Sequence, residues 1–229
     1  MRILAALFPG FTALDLIGPT NCWALMPDVQ IQLAALREGP VKSDFGAEII
    51  ATHDLSNCVQ DPDVLLMPGG GRGVFEVMQD DRFLDHVARI GAQARWVTSV
   101  CTGSLILGKA GLLRGYKAAC YWYCREQLRK FGAEPIDERV VIDRNRATGG
   151  GVTAGIDFAL QMIGTWAGPA AGQQAELAIE YAPRPPFGTG RPESAPPEIV
   201  DAVNAILSRE MPSDLIDRAA MRRGGGRGA

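Results

Sequence analysis

The sequence is short of histidine, of net charge and of long apolar runs, and each shortage excludes something. Its two histidines, His53 and His86, have no ligand-like spacing to any cysteine, so no metal-binding pattern is written in the chain. Twenty-three Lys and Arg against 26 Asp and Glu leave a formal charge of -3, which gives no electrostatic footprint for nucleic acid. The one basic patch, Arg218, Arg222, Arg223 and Arg227, reads as a frayed, solvated tail. No stretch approaches the ~18 apolar residues of a membrane span. Met1 to Pro9 has no small-residue cleavage site before Pro9-Gly10 and reads as a first buried strand. The five cysteines are odd in number and form no C-x-x-C pair, which fits free thiols in a reducing compartment. The expectation is a soluble, cytoplasmic protein with no nucleic-acid, membrane or metal partner.

What is present is enough for a core. At 229 residues and 47% hydrophobic composition the chain suits one large domain, over residues 1 to 187, with a tail over 188 to 229. Strand-like and helix-like segments alternate. Arg2 to Phe8 and Val29 to Leu36 read as strands, with a helix from Leu14 to Met26 between them that Pro19 breaks. A hairpin turns around Asp44-Phe45-Gly46, and Val64 to Met67 is a short apolar strand. Phe83 to Ala94 carries Phe83, Val87 and Ile90 on one helical face. A strand over Lys117 to Tyr121, a helix over Trp122 to Phe131, a hairpin around Arg144-Asn145 and a helix over Ala154 to Trp166 follow. The pattern is that of an α/β fold with a doubly wound, mostly parallel sheet sandwiched by helices, whose ligands bind at the carboxyl ends of the strands. There is no internal repeat. Six prolines in the sixteen residues 182 to 197 make that stretch extended. After it, Glu198 to Arg209 forms an amphipathic helix whose Ile199, Val203 and Ile206 must pack on this domain or on a second subunit.

One segment carries chemistry. Trp96 to Val100 has strand character, Leu105 to Leu107 is helical, and Cys101-Thr102-Gly103-Ser104 lies between. A cysteine at a strand-to-helix turn forms a nucleophile elbow, its sulfur projecting from the sheet edge and the following helix favouring thiolate over thiol. The alternative is a buried structural cysteine, since free Cys is among the most buried residue types. Two further features belong with Cys101 if the strand ends share an edge. Pro68-Gly69-Gly70-Gly71 offers unshielded backbone N–H groups, the material of an oxyanion hole, or else is only a tight turn. Asp15, an acid among apolar neighbours, either serves as a general acid with a raised pKa or caps the first helix.

Taken together, T-S-V-C-T-G-S at 98 to 104, the P-G-G loop, L-D-L-I-G-P at 14 to 19 and G-G-G-V-T-A-G-I-D-F-A-L at 149 to 160 resemble the ThiJ/PfpI superfamily, and within it the branch that hydrates isocyanides. The similarity runs to about Phe187, through E-Y-A-P-R-P-P-F. The resemblance implies a flavodoxin-like topology, a homodimer, no metal or organic cofactor, and a lyase that hydrates isocyanides to N-substituted formamides. It implies Cys101 as nucleophile and Asp15 as general acid, through a covalent thioimidate. Gly69, Gly70, Thr102, Gly150 and Val152 would line the site. The chain departs from the family's T-H-W segment: Ala119-Cys120-Tyr121-Trp122 puts Tyr121 in the histidine's place, to donate a hydrogen bond or to fill core. Thr102, in place of the histidine that follows the nucleophile in the peptidase-like branch, argues against peptidase and amidotransferase activity.

Three other readings compete. One is a related thiol-dependent hydratase or glyoxalase. Another is a redox sensor whose cysteine oxidises without turnover. The third is a transcriptional regulator, because AraC-type regulators carry similar L-D-L-x-G-P and C-T-G segments. About forty residues follow Phe187, too few for the paired helix-turn-helix domain those regulators need.

Overall fold

Residues 1–221 are described by the computed structural model. Apolar runs of four to six residues become strands, and the longer amphipathic segments become helices. The first half contains β1 (Arg2–Ala6), α1 (Ala13–Trp23), β2 (Gln30–Ala35), β3 (Gly39–Lys42), β4 (Glu48–Ala51), β5 (His53–Asp54), β6 (Val64–Met67), α2 (Arg72–Val77), α3 (Asp81–Gln93), β7 (Trp96–Ser99) and α4 (Gly103–Lys109). The second contains β8 (Lys117–Ala118), β9 (Glu134–Pro135), β10 (Val140–Asp143), β11 (Arg146–Gly149), α5 (Ala154–Ala167), α6 (Pro169–Ala178), α7 (Pro197–Glu210) and α8 (Ser213–Ala220).

Seven strands form the central sheet in the order β10-β11-β7-β6-β1-β2-β5, parallel except for β10 at one edge. The chain starts in the middle, winds outward through β2 and β5, then returns to β6 and winds the other way. This reversal between β1 and β6 opens a crevice at their carboxyl ends, where doubly wound sheets bind ligands. Helices cover both faces, so β1 from Ile3 on and all of β6 are buried, which is why these strands read as unbroken apolar runs. One helical layer joins α1, α5 and α6, around a cluster of Trp23, Phe158, Trp166 and Trp96. In the other, α4 packs against α2 and α3, and α2 against α8.

Several elements differ from the sequence reading. Pro19 does not break α1, which runs on to Trp23. Its ring is buried where a Cβ on Gly155 of α5 would stand 3.4 Å from it, so tertiary packing overrides the local penalty. The strand expected over Lys117 to Tyr121 stops at Ala118 and pairs only with β9, outside the central sheet. Side chains there replace a strand partner: the Ala119 N–H donates to Thr148 Oγ1 (2.8 Å) and its carbonyl accepts from Ser104 Oγ (2.6 Å). Trp122–Phe131 winds as a 3-10 helix that ends at Gly132 in the left-handed region, φ 76°.

The tail departs most. Arg218, expected in a frayed end, lies in α8 and pairs with Asp214 at 2.9 Å. Met211, Leu215, Ile216 and Ala219 are buried, so this segment joins the main core. Arg222, Arg223 and Arg227 lie outside the described residues. On α7, Ile199 and Val203 border a small recess beside Trp122, but Ile199 remains 46% and Ile206 58% exposed. No described helix is long and apolar enough to cross a membrane.

Candidate active site

At the carboxyl end of β7 the chain turns through Cys101 at φ 58°, the left-handed region that a residue with a Cβ seldom enters. The turn is held by its surroundings. The Cys101 N–H donates to the Gly149 carbonyl at the end of β11 (3.2 Å), and the Gly103 N–H to Val100 (3.0 Å). Gly103 is obligatory: a Cβ there would stand 2.3 Å from the Met67 carbonyl oxygen and 2.8 Å from that of Pro68, so the elbow lies directly on the end of β6. Strand-to-helix turns of this strained kind carry the nucleophile in α/β-hydrolases.

The environment of the sulfur corrects one expectation. Burial pushes the Cys101 thiol well above the ordinary range, and the neighbouring Asp15 and Cys120 push the same way; the Thr102 N–H opposes them. With 4% of the residue exposed and only the seven-residue α4 behind it, desolvation outweighs the helix end. The balance of these causes favours the thiol over the thiolate.

Asp15 is fully buried in the first turn of α1. It does not cap that helix: the N-cap is Thr12, and Asp15 Oδ2 instead accepts from the Gly69 N–H across the crevice (2.9 Å). Its other oxygen, Oδ1, has no hydrogen-bond partner. Burial raises the carboxyl to about 8, against the pull of the Gly69 N–H and helped by the charge of Asp44. The group is therefore a neutral acid at pH 7. The Cys101 side chain, like the Gly69 N–H, acts to favour the charged form.

The glycine loop also differs from expectation. The Gly69 N–H is taken by Asp15, and the Gly70 N–H by Thr102 Oγ1 (2.9 Å), whose own proton goes to the Gly70 carbonyl (2.6 Å). Neither donor is free for an oxyanion. These glycines serve close packing instead: a Cβ on Gly69 would lie 2.6 Å from Thr102 N and 2.8 Å from Asp15 Oδ2. Asp15, Gly69, Gly70, Cys101 and Thr102 thus form one interlocked, buried group.

Tyr121, Gly150 and Val152 lie to the side, lining a cavity of about 330 Å³ with Cys120, Trp122 and Gly151. Tyr121 is half-buried on this wall and packs against the edge of the core; burial raises its hydroxyl, and the Cys101 charge adds to the effect. Residues that sequence reasoning missed close the cavity. Arg125 and Arg191 both pair with Asp137, and Arg139 with Asp157, so an ionic rim that includes the proline-rich segment surrounds the mouth. Its ion pairs join side chains 12 to 54 residues apart, and no local motif announces it. A larger cleft of about 820 Å³, bounded by Leu7, Phe8, Val41 and Phe83, contains none of these residues. Among the described residues no three His, Cys, Asp or Glu converge as a metal site.

The DJ-1/PfpI family profile matches residues 1–165, more than half of the chain. The chain belongs to the DJ-1/PfpI family. Within that family it is similar to the isonitrile hydratase of Pseudomonas putida, 44% identical over 224 residues that cover 97% of each chain. A DJ-1/PfpI-type fold is also seen in a crystal structure of a ThiJ/PfpI family protein from Pseudomonas syringae. It is 41% identical, with a TM-score of 0.92 over 96% of this chain and 90% of that one. Similarity to the HTH-type transcriptional regulator GbdR of Pseudomonas aeruginosa is 41% over 85 residues, 35% of this chain and 23% of the regulator.

Proposed function

We propose that this protein is a lyase that hydrates isocyanides to N-substituted formamides, with Cys101 as nucleophile and Asp15 as general acid. The observation that carries the reading is a fully buried carboxyl with one unpartnered oxygen, whose burial raises it to about 8, near a buried cysteine at a strained elbow. Similarity to an isonitrile hydratase over almost the whole length of both chains supports the choice of substrate. The local similarity to GbdR supports no comparable reading for the whole chain.

An isocyanide carbon must gain a proton before a thiol can add to it. Asp15 gives its proton to the terminal carbon of R–N≡C, and the Cys101 sulfur bonds to the same carbon. The thiol proton passes to the carboxylate just formed, which has a free oxygen in Oδ1. The result is the thioimidate R–N=CH–S–Cys101. Water then adds to that carbon, the C–S bond breaks, the sulfur regains its proton, and R–NH–CHO leaves. A thiol held high by burial suits this sequence, because its proton is needed by Asp15 for the next turnover. Tyr121, Gly150 and Val152 would border the R group in the cavity. The proposed assembly is a homodimer, with Ile199 and Ile206 of α7 among the apolar side chains left to be covered.

The test is formamide production from a simple alkyl and a simple aryl isocyanide, with wild type and Cys101→Ala. Turnover by the wild type alone supports the proposal. Equal formamide release by Cys101→Ala, or none from either protein, overturns it.

A further inference from the structure

Among the described residues the proline-rich segment has one polar tie to the rest of the domain, and that tie stands at the mouth of the cavity. Residues 182 to 190 are exposed. The backbone N–H groups of the segment that find a carbonyl find a local one: Ala182 donates to Glu180, Ser194 to Arg191 and Ala195 to Pro192. Its prolines have no N–H to offer. Yet Gly190, Arg191, Pro192 and Glu193 line the 330 Å³ cavity together with Tyr121, Gly150 and Val152.

Arg191 makes the tie. Its Nη2 donates to Asp137 Oδ1 (3.1 Å), the same oxygen that Arg125 holds from the 3-10 helix. Arg125 is 20% exposed and fixes the carboxylate, whereas Arg191 is 62% exposed and makes the weaker, solvent-screened pair. Glu193, 3.9 Å from Arg191, belongs to the same segment and anchors it to nothing else. Just upstream, Gly188 turns the chain at φ 66°, and a Cβ on Gly190 would meet open space, so the backbone can pivot there. Downstream, the half-buried Pro192 and Ala195 border a small recess with Trp122, which also lines the cavity.

We propose that Arg191 is a specificity-determining residue: by latching residues 188 to 195 to Asp137 it holds a lid over the cavity and limits the size of the R group that enters. The inference rests on the reading that this cavity receives the R group. A small R group fits beneath the closed lid, and a bulky one enters only when the ion pair is broken. An exposed pair moves such an equilibrium by only about twofold to fivefold, and 1 M salt, with a screening length of about 3 Å, removes most of its effect.

The experiment uses full-length wild type, Arg191→Met, which keeps the length without the charge, and Arg191→Lys. Two readouts are taken: the ratio of kcat/KM for 2-naphthyl isocyanide to that for methyl isocyanide, and acrylamide quenching of Trp122, measured as the part lost when Trp122→Phe is added to each protein. Arg191→Met should raise both by about twofold to fivefold, as for loss of an exposed ion pair. Sodium chloride at 1 M should shift wild type the same way and leave Arg191→Met unchanged, and Arg191→Lys should behave as wild type. A selectivity ratio or a Trp122 quenching that is equal in wild type and Arg191→Met overturns the proposal. If no protein turns over either isocyanide, the isocyanide reading fails on its own, and the quenching decides whether Arg191 holds the lid.

Discussion

Replacing Asp15 by Asn separates the acid from the shape it occupies, and it should make the protein both slower and more stable. The carboxyl rises from its ordinary 3.8 to about 8 in the folded chain. A carboxyl raised on folding stabilises most fully below its unfolded value, and that stability is lost as pH rises through the folded one. Between the two values the native state holds a proton that the unfolded chain has released. Wild-type stability therefore falls with pH by on the order of 1.4 kcal/mol per unit from this group alone. Asn keeps an oxygen for the Gly69 N–H but does not titrate. From pH 5 to pH 8 the stability of Asp15→Asn should gain on wild type by up to roughly 4 kcal/mol, then level off. Urea unfolding of both proteins across that range measures it, and the other titrating groups cancel in the difference. Formamide turnover by the variant should meanwhile fall ~10²- to 10⁴-fold, as for loss of a positioned acid. A stability difference independent of pH would show that the carboxyl holds no proton at neutrality. Turnover within about threefold of wild type, well under the general-acid range, would remove Asp15 from the reaction.

Three further outcomes are expected. Wild-type kcat should decline as pH rises past about 8, where Asp15 loses the proton it must donate, and a profile still rising there would contradict the assignment. Gly103→Ala should abolish soluble, active protein or lower its Tm steeply, because the added Cβ meets backbone oxygens that cannot move aside; near-wild-type melting would refute the close approach of elbow and β6. A chain ending at residue 210 loses the buried Met211, Leu215 and Ile216 and should melt roughly 5 °C or more below wild type. An unchanged melting temperature would mean that α8 contributes nothing to the core.

The sequence by itself determined the alternation of strand and helix, the cysteine turn between β7 and α4, and the glycine loop after β6. These are local properties: side-chain periodicity and the backbone demands of a turn act over a few residues and can be read in order along the chain. The motifs around Asp15, Cys101 and Gly149 to Leu160 also carried the family. The tertiary structure alone decided how those pieces act on one another. It assigned the N–H groups of Gly69 and Gly70 to Asp15 and Thr102 and so took two of the donors expected for an oxyanion hole. It also raised Cys101, because desolvation sums over every group packed around a sulfur, whereas the helix that favours thiolate is the single neighbour visible in sequence. Pro19 stayed in its helix because α5 packs on it, and α8 became part of the core because α2 lies beside it. Cys120 is a residue of ordinary appearance in a short, irregular segment. Thr148 and Ser104, brought there from two other elements, hold the adjacent Ala119 by its N–H and its carbonyl, and no spacing along the chain encodes that meeting.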